Sequence, residues 1–219
     1  VDAAKTIQSF DIAPNGKRAL FEARGEVFTV PAEHGNTRNL TQTSGVREQY
    51  PAWSPDGKWV AYVTDRTGEA EIAVRPADGT GTEQILTDRR KGYLYDPAWA
   101  PDSKKIAFSD SEHALWILNV QDRKLTNVDS NPRAEMHDFA WSPDALWLAY
   151  SKAADNDLRQ IYLYSLTSAR ATQVTGARTS DFDPTFDPQG KYLYFIALKH
   201  ENPVFSESEF NVATLKMAG

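Results

Sequence analysis

One short turn recurs five times along this chain, and it constrains the fold more than any other feature. Its fullest copy is Pro51-Ala52-Trp53-Ser54-Pro55-Asp56-Gly57-Lys58-Trp59-Val60-Ala61-Tyr62. Pro55 presets φ for the second position of a type I turn, Asp56 suits the third, and Gly57 accepts the positive φ that follows. Apolar residues flank the turn on both sides, so the stretch predicts a tight β-hairpin. The other copies are centred on Pro14-Asn15-Gly16, Pro101-Asp102-Ser103, Pro143-Asp144-Ala145 and Pro188-Gln189-Gly190. The turn prolines, Pro14, Pro55, Pro101, Pro143 and Pro188, are spaced by 41, 46, 42 and 45 residues.

A period of about 40–45 residues is that of propeller blades of four strands each. The expected fold is therefore all-β, a β-propeller with about five blades present. Blades are expected near residues 5–43, 44–88, 89–129, 130–176 and 177–219. They form one domain or domain fragment, because each repeat buries its face only against a neighbour. In the first unit the strands fall at residues 6–13, 18–23, 26–31 and 37–41; in the second at 49–54, 59–64, 71–75 and 83–87. The fifth unit departs from the pattern. Residues 209–216 supply its third strand, and the outer strand is missing.

The second strands separate a propeller from other all-β architectures. Trp59-Val60-Ala61-Tyr62-Val63, Trp147-Leu148-Ala149-Tyr150 and Tyr192-Leu193-Tyr194-Phe195-Ile196-Ala197 are apolar at odd and even positions alike. A strand with one wet face alternates, so these are expected to be covered on both faces, as in stacked blades. No segment has a 3.6-residue apolar period, so essentially no helix is expected. If the blades form an open arc, the end faces stay apolar and exposed. Leu20, Phe21 and Phe28 would lie at one end and Tyr192, Tyr194 and Phe195 at the other. Such patches favour self-association.

Composition narrows the partners. Net charge is −6, with no basic stripe, so nucleic acid is not an expected partner. No apolar run is long enough for a membrane span, so no membrane partner is expected. The absence of cysteine excludes disulfides and thiolate chemistry. The start, Val1-Asp2-Ala3-Ala4-Lys5, has neither an initiator methionine nor an apolar signal region, and reads as a piece cut from a longer protein.

Chemistry-bearing motifs are sparse. His34, His113, His137 and His200 are never paired at metal-ligand spacing, and neither Gly-x-Ser-x-Gly nor His-Glu-x-x-His occurs. No catalytic residue, metal site or cofactor is expected. His137 stands out, since Glu135 and Asp138 flank it and a carboxylate neighbour tunes an imidazole. Asp155-Asn156-Asp157 is carboxylate-rich but lacks the glycine and distal glutamate of a calcium loop, so it reads as a polar hairpin tip. Trp53, Trp99 and Trp141 share one repeat position and are expected in the core between blades; Trp116 lies off that pattern.

Residues just ahead of each inner strand converge at one end of a propeller channel. Here they are Arg47, Glu48, Tyr93 and Tyr95 in the second and third units, and Glu135, His137, Ser180 and Asp181 in the fourth and fifth. Aromatics with both charge signs suit a peptide backbone or its termini. The plain alternative is a solvated rim.

The repeats, each with Trp or Phe ahead of a Pro-Asp-Gly-like turn, resemble the PD40 (TolB-type) propeller repeat, a WD40-like blade. The close of the chain, Asp181-Phe182-Asp183-Pro184-Thr185-Phe186-Asp187-Pro188-Gln189-Gly190-Lys191-Tyr192 and then Glu201-Asn202-Pro203-Val204-Phe205, is similar to the end of a propeller in tricorn-like proteases. Leu40-Thr41, Leu86-Thr87 and Val74-Arg75-Pro76-Ala77-Asp78-Gly79 fit the same family. The resemblance implies most of one non-catalytic propeller of a large serine peptidase, the second and seven-bladed one. It would admit oligopeptide substrates through its channel. The PDZ and catalytic regions of the parent, lying beyond Gly219, would then be its partners. It implies a soluble bacterial or archaeal protein of cytoplasm or periplasm. A TolB-like propeller that docks a protein partner is the alternative, and a free-standing propeller glycosidase with paired channel carboxylates is the third reading.

Overall fold

The computed structural model describes residues 3–89, 92–176, 178–199 and 209–216. A 3-10 turn at Ala3–Thr6 precedes nineteen β-strands, and no α-helix occurs among the described residues. The first sheet holds β1 (Ile7–Ile12), β2 (Arg18–Ala23), β3 (Glu26–Pro31) and β4 (Arg38–Asn39). The second holds β5 (Glu48–Trp53), β6 (Trp59–Thr64), β7 (Glu71–Pro76) and β8 (Gln84–Ile85). The third holds β9 (Leu94–Trp99), β10 (Lys105–Asp110), β11 (Ala114–Asn119) and β12 (Leu125–Ser130). The fourth holds β13 (Phe139–Trp141), β14 (Trp147–Ala153), β15 (Arg159–Ser165) and β16 (Arg170–Gln173). Among the described residues the fifth has three strands, β17 (Ser180–Phe186), β18 (Tyr192–Lys199) and β19 (Glu209–Lys216). In every sheet the strands lie side by side in chain order. The Asn202-Pro203-Val204-Phe205 ending lies outside the described residues.

The repeated turn joins the first two strands of every sheet in the same way. In the second sheet the Ser54 N–H donates to the Trp59 carbonyl at 2.9 Å and the Gly57 N–H to the Ser54 carbonyl at 2.8 Å. The same pair of bonds recurs at Ala13, Ala100, Ser142 and Asp187. The fourth turn residue always has positive φ: Gly16 at 68°, Gly57 at 71°, Ser103 at 57°, Ala145 at 57° and Gly190 at 67°. The turn aspartates accept local bonds, as when Asp56 Oδ1 takes the Ser54 hydroxyl at 2.6 Å and the Lys58 N–H at 3.0 Å.

Outer strands β4 and β8 are two residues long rather than the five expected, because the chain turns out of the ladder at Leu-Thr. The Leu40 N–H donates to the Val27 carbonyl at 2.8 Å, and the Thr41 hydroxyl then accepts the Val27 N–H at 3.1 Å. Leu86 and Thr87 do the same to Ile72, and Val174 and Thr175 to Ile161. A side-chain oxygen thus replaces a strand carbonyl, and the Val27, Ile72 and Ile161 N–H groups stay paired.

The chain forms two compact units, Val1–Ser111 with Ile117–Thr126, and Glu112–Trp116 with Asn127–Gly219. Inside the first, β5 packs on β1, β2 and β3, and β9 packs on β5, β6 and β7. Inside the second, β17 packs on β13, β14 and β15. At β5, β9 and β17 the first strand of one sheet therefore lies against the sheet before it. Leu20, Val27, Leu40, Trp53, Val60 and Tyr62 form one such core, and Ala149, Ile161, Leu163, Leu193 and Phe195 another. Each fully buried aliphatic side chain contributes about 1.5–3 kcal/mol. Trp99 is 8% exposed, and its indole N–H donates to the Ala52 carbonyl at 3.1 Å, tying β9 to β5. Trp53 is buried likewise. Trp141, expected in the core, is only half-buried, as is the off-pattern Trp116.

Strands β6 and β14 are buried on both faces along most of their length, as their unbroken apolar runs predict, and β10 is buried likewise. Strand β2 alternates instead. So does the described part of β18, where Leu193 and Phe195 are buried and Tyr192 and Tyr194 half-exposed. The expectation that Tyr192–Ala197 is covered on both faces is therefore corrected. Strand parity also corrects the end faces. Leu20 (0% exposed) and Phe195 (8% exposed) point into the cores, not outward. The open face of the first sheet carries Phe10, Phe21 and Phe28, paired across β1, β2 and β3. Among the described residues no helix is long and apolar enough to cross a membrane.

Candidate functional site

A cavity of about 370 Å³ opens in the first unit where β5 and β9 begin and the β6–β7 hairpin turns. Its chemistry comes from Arg47, Tyr50, Asp65, Glu69, Tyr93 and Tyr95. The volume is at the low end for ligand sites. Arg47 and Asp65 face each other across the mouth of the β5–β6 ladder. The Arg47 N–H donates to Asp65 Oδ1 at 2.7 Å, and the Asp65 N–H returns to the Arg47 carbonyl at 3.2 Å. The equivalent pair one sheet on is Tyr93 and Ser111. The Tyr93 N–H donates to Ser111 Oγ, and the Ser111 N–H to the Tyr93 carbonyl, both at 3.0 Å. Gly92, at φ +63°, precedes Tyr93, and a Cβ there would sit 2.3 Å from Ser111 Oγ. Only glycine brings the chain this close without displacing that acceptor.

Tyr50 is aimed by a β-bulge. The β5–β6 register shifts between Gln49 and Ala52, and Tyr50 takes φ 53°. Corresponding bulges put Asp96 at φ 49° in β9 and Asp183 at φ 54° in β17. Each bulged residue precedes a proline, Pro51, Pro97 or Pro184. Proline brings no N–H, so one ladder donor fewer needs a partner where pairing breaks. The Tyr50 N–H is taken up by Glu22 Oε2 at 3.1 Å. The Tyr50 and Tyr95 rings meet edge to face, with centroids 6.4 Å apart. Burial pushes the Tyr50 hydroxyl up from its ordinary range, and the carboxylates of Asp96 and Glu22 push the same way.

Of the eight residues singled out in the sequence, Arg47, Tyr93 and Tyr95 come together here. Glu48, their neighbour, turns inward and is fully buried, accepting the Thr43 hydroxyl at 2.6 Å. In the second unit Glu135 Oε2 and His137 Nε2 lie 2.7 Å apart. That hydrogen bond holds the Glu135 carboxyl below its usual range. Ser180 Oγ accepts the Arg159 N–H at 3.2 Å, and Asp181 is buried at 1% exposure. Glu48 and Asp181 thus belong to the interior rather than to an accessible rim. Asp155 and Asp157 lie 3.4 and 3.6 Å from the Arg133 guanidinium, and the Leu158 N–H closes a turn on Asn156 Oδ1 at 3.2 Å. The tip is thus an ion-paired hairpin end. Tyr50, Asp65 and Glu69 were not anticipated. The Tyr50-Pro51 step inside a strand was the signal for the first, and the position just past β6 for the second.

Four-stranded antiparallel sheets repeated at a near-constant interval, with β5, β9 and β17 each laid against the sheet before, define a β-propeller fold. Within that class, the chain belongs to the family of the tricorn protease second beta propeller domain, whose model matches residues 7–218. A tricorn protease homolog of Streptomyces coelicolor is 29% identical over 223 residues, covering 100% of this chain and 21% of that protein. The chain therefore spans about a fifth of the length of the curated relatives it matches. The crystal structure of the tricorn protease superposes with a TM-score of 0.81 at 18% identity, over 96% of this chain and 21% of that one. A TolB structure from Agrobacterium tumefaciens gives a TM-score of 0.68 at 18% identity, over 96% of this chain and 77% of that one.

Proposed function

We propose that this chain is a non-catalytic propeller segment of a tricorn-like serine peptidase, and that it guides or filters oligopeptides toward a catalytic core carried elsewhere in the parent. The observation that carries the reading is the cavity of Arg47, Tyr50, Asp65, Tyr93 and Tyr95. It joins aromatic faces to groups of both charge signs, as a peptide requires, at the ends of the first strands. Membership of the tricorn propeller family supports a peptidase parent. The blade bounds read from the repeat, and the single domain they imply, are part of the same proposal.

The test is direct. The 219-residue chain is titrated with synthetic hexapeptides by calorimetry, and the same mixtures are assayed for cleavage. Saturable binding without cleavage is expected. Cleavage that persists through purification and is lost in Ser180→Ala or His137→Ala overturns the non-catalytic reading. A second reading, a TolB-like module that docks a protein, is favoured by the open apolar face of β1–β3, where Phe10 is 67% and Ile12 59% exposed. It would hold if a protein partner, and no peptide, bound the chain.

A further inference from the structure

The cavity of the first unit carries more information than a general affinity for peptides. Three tyrosine rings converge on it, from β5, β9 and the residue ahead of β9. Tyr93 is 66% exposed, so its ring is accessible from solvent. Ring faces are electron-rich and attract cations. Two carboxylates border the rings. Asp65 spends Oδ1 on the Arg47 N–H, and its side chain is exposed. The Glu69 side chain is exposed and has no partner among the described residues. Behind Tyr50 stand the carboxylates of Asp96 and Glu22, both of which disfavour ionising its hydroxyl. Among the described residues the one cation that lines the cavity is Arg47. Against it the described lining carries two carboxylates, Asp65 and Glu69.

We infer that this cavity is a subsite for an alkylammonium group, held by Asp65 and Glu69 against the faces of Tyr50, Tyr93 and Tyr95. On an oligopeptide that group is the free N-terminus or a lysine side chain. The Arg47 guanidinium, exposed beside it, then donates to a carbonyl of the adjoining peptide. Asp65 keeps its place because its Oδ1 and its N–H both bond to the Arg47 backbone at the ladder end, and Tyr93 because its N–H and carbonyl are both tied to Ser111. The site is therefore built before the ligand arrives, which lowers the ordering cost of binding.

The inference rests on the peptide-guiding reading for its ligand, and the experiment separates the two. Four C-terminally amidated hexapeptides are titrated into the 219-residue chain: free N-terminus without lysine, N-acetylated with one lysine, both, and neither. n-Butylammonium is the fifth probe, followed through tyrosine fluorescence. The peptide with neither ammonium is expected to bind at least tenfold more weakly than the others. The first two peptides show which ammonium the subsite takes. Asp65→Asn, which retains the acceptor for the Arg47 N–H, and Glu69→Gln together should remove that tenfold preference. Tyr93→Ala, a change at an exposed ring, should cost about fivefold, and each variant's circular dichroism should match the parent chain. Equal binding of all four peptides overturns the subsite and leaves the peptide reading standing. Binding of n-butylammonium without any peptide does the reverse. No binding of any probe overturns both.

Discussion

At the scale of single residues, the buried carboxyl of Glu48 is the most informative group. It sits at the start of β5, fully enclosed, with Oε2 bonded to nothing. Burial raises its pKa above the ordinary 4.5, against the lowering effect of the Thr43 and Thr41 hydroxyls. A carboxyl with a higher pKa folded than unfolded holds its proton more firmly in the folded chain. Folding is then favoured as pH falls through the window just above 4.5, and the cost of the charge is complete once pH exceeds the raised value. Glu48→Gln cannot ionise and lacks this term. Its stability relative to the wild type should rise as pH is taken from 4 to 7, read from urea midpoints at each pH. A difference that stays flat, or that runs the other way, would show that Glu48 is solvated in the folded chain. The sequence announced Glu48 as a rim group because it precedes a strand, yet the bulge between Gln49 and Ala52 shifts the inward parity set by Trp53 and Pro51 and turns Glu48 into the core. One residue of register separates a ligand contact from a core group.

At the scale of elements, the sheets are closed by side chains as much as by strands. Thr87 is the clearest case. Its hydroxyl accepts the Ile72 N–H at 2.9 Å and donates to the buried carboxylate of Glu71, just where β8 stops. Thr87→Val keeps the shape and removes both bonds, leaving a buried N–H without an acceptor. Such a loss costs about 1–3 kcal/mol. Thr87→Ser should stay close to wild type, and Thr175→Val, at a half-buried site, should cost under about 1 kcal/mol. Equal midpoints for Thr87→Val and Thr87→Ser would show that the hydroxyl contributes nothing. Much of this layer was legible in the sequence. The Pro-Asp-Gly turns located every first hairpin, because the positive φ of Gly57 is a local demand that nothing distant can waive. Strands β2, β3 and β6 fall at their expected bounds. The bulges at Tyr50, Asp96 and Asp183 were not legible. A non-glycine residue before proline at positive φ is held by tertiary partners such as Glu22, which lies 28 positions away. The cavity depends on one of those bulges, so its tyrosine trio escaped a reading that found only Tyr93 and Tyr95.

At the scale of the molecule, what matters is which sheet faces are covered. In the first unit, β1, β2 and β3 bury one face against β5 and leave the other open. The open face is not a polar surface. Phe10, Phe21 and Phe28 stand in one cross-strand row, and Ile12, Ala19 and Val30 in the next. Phe21, Phe28 and Val30 help line an apolar cavity of about 370 Å³ on it. Exposed rows of this kind lower the free energy of any state that covers them, at roughly 25 cal/mol per Å² removed from water. In a solution of this chain alone, another copy can supply that cover. The expected outcome is reversible association, seen in light scattering as an apparent mass that grows with concentration. Phe10→Ser with Ile12→Thr should suppress it. Both side chains are already more than half exposed, so the double change should move folding stability by no more than about 0.5 kcal/mol per site. Tyr194→Ser serves as a control on a half-exposed residue of a different sheet, in the second unit, and should leave the association intact. A chain that stays monomeric up to the highest concentration reached would mean that the aromatic row is already shielded by the protein's own segments. Association that survives the Phe10 and Ile12 changes would move the contact to another surface.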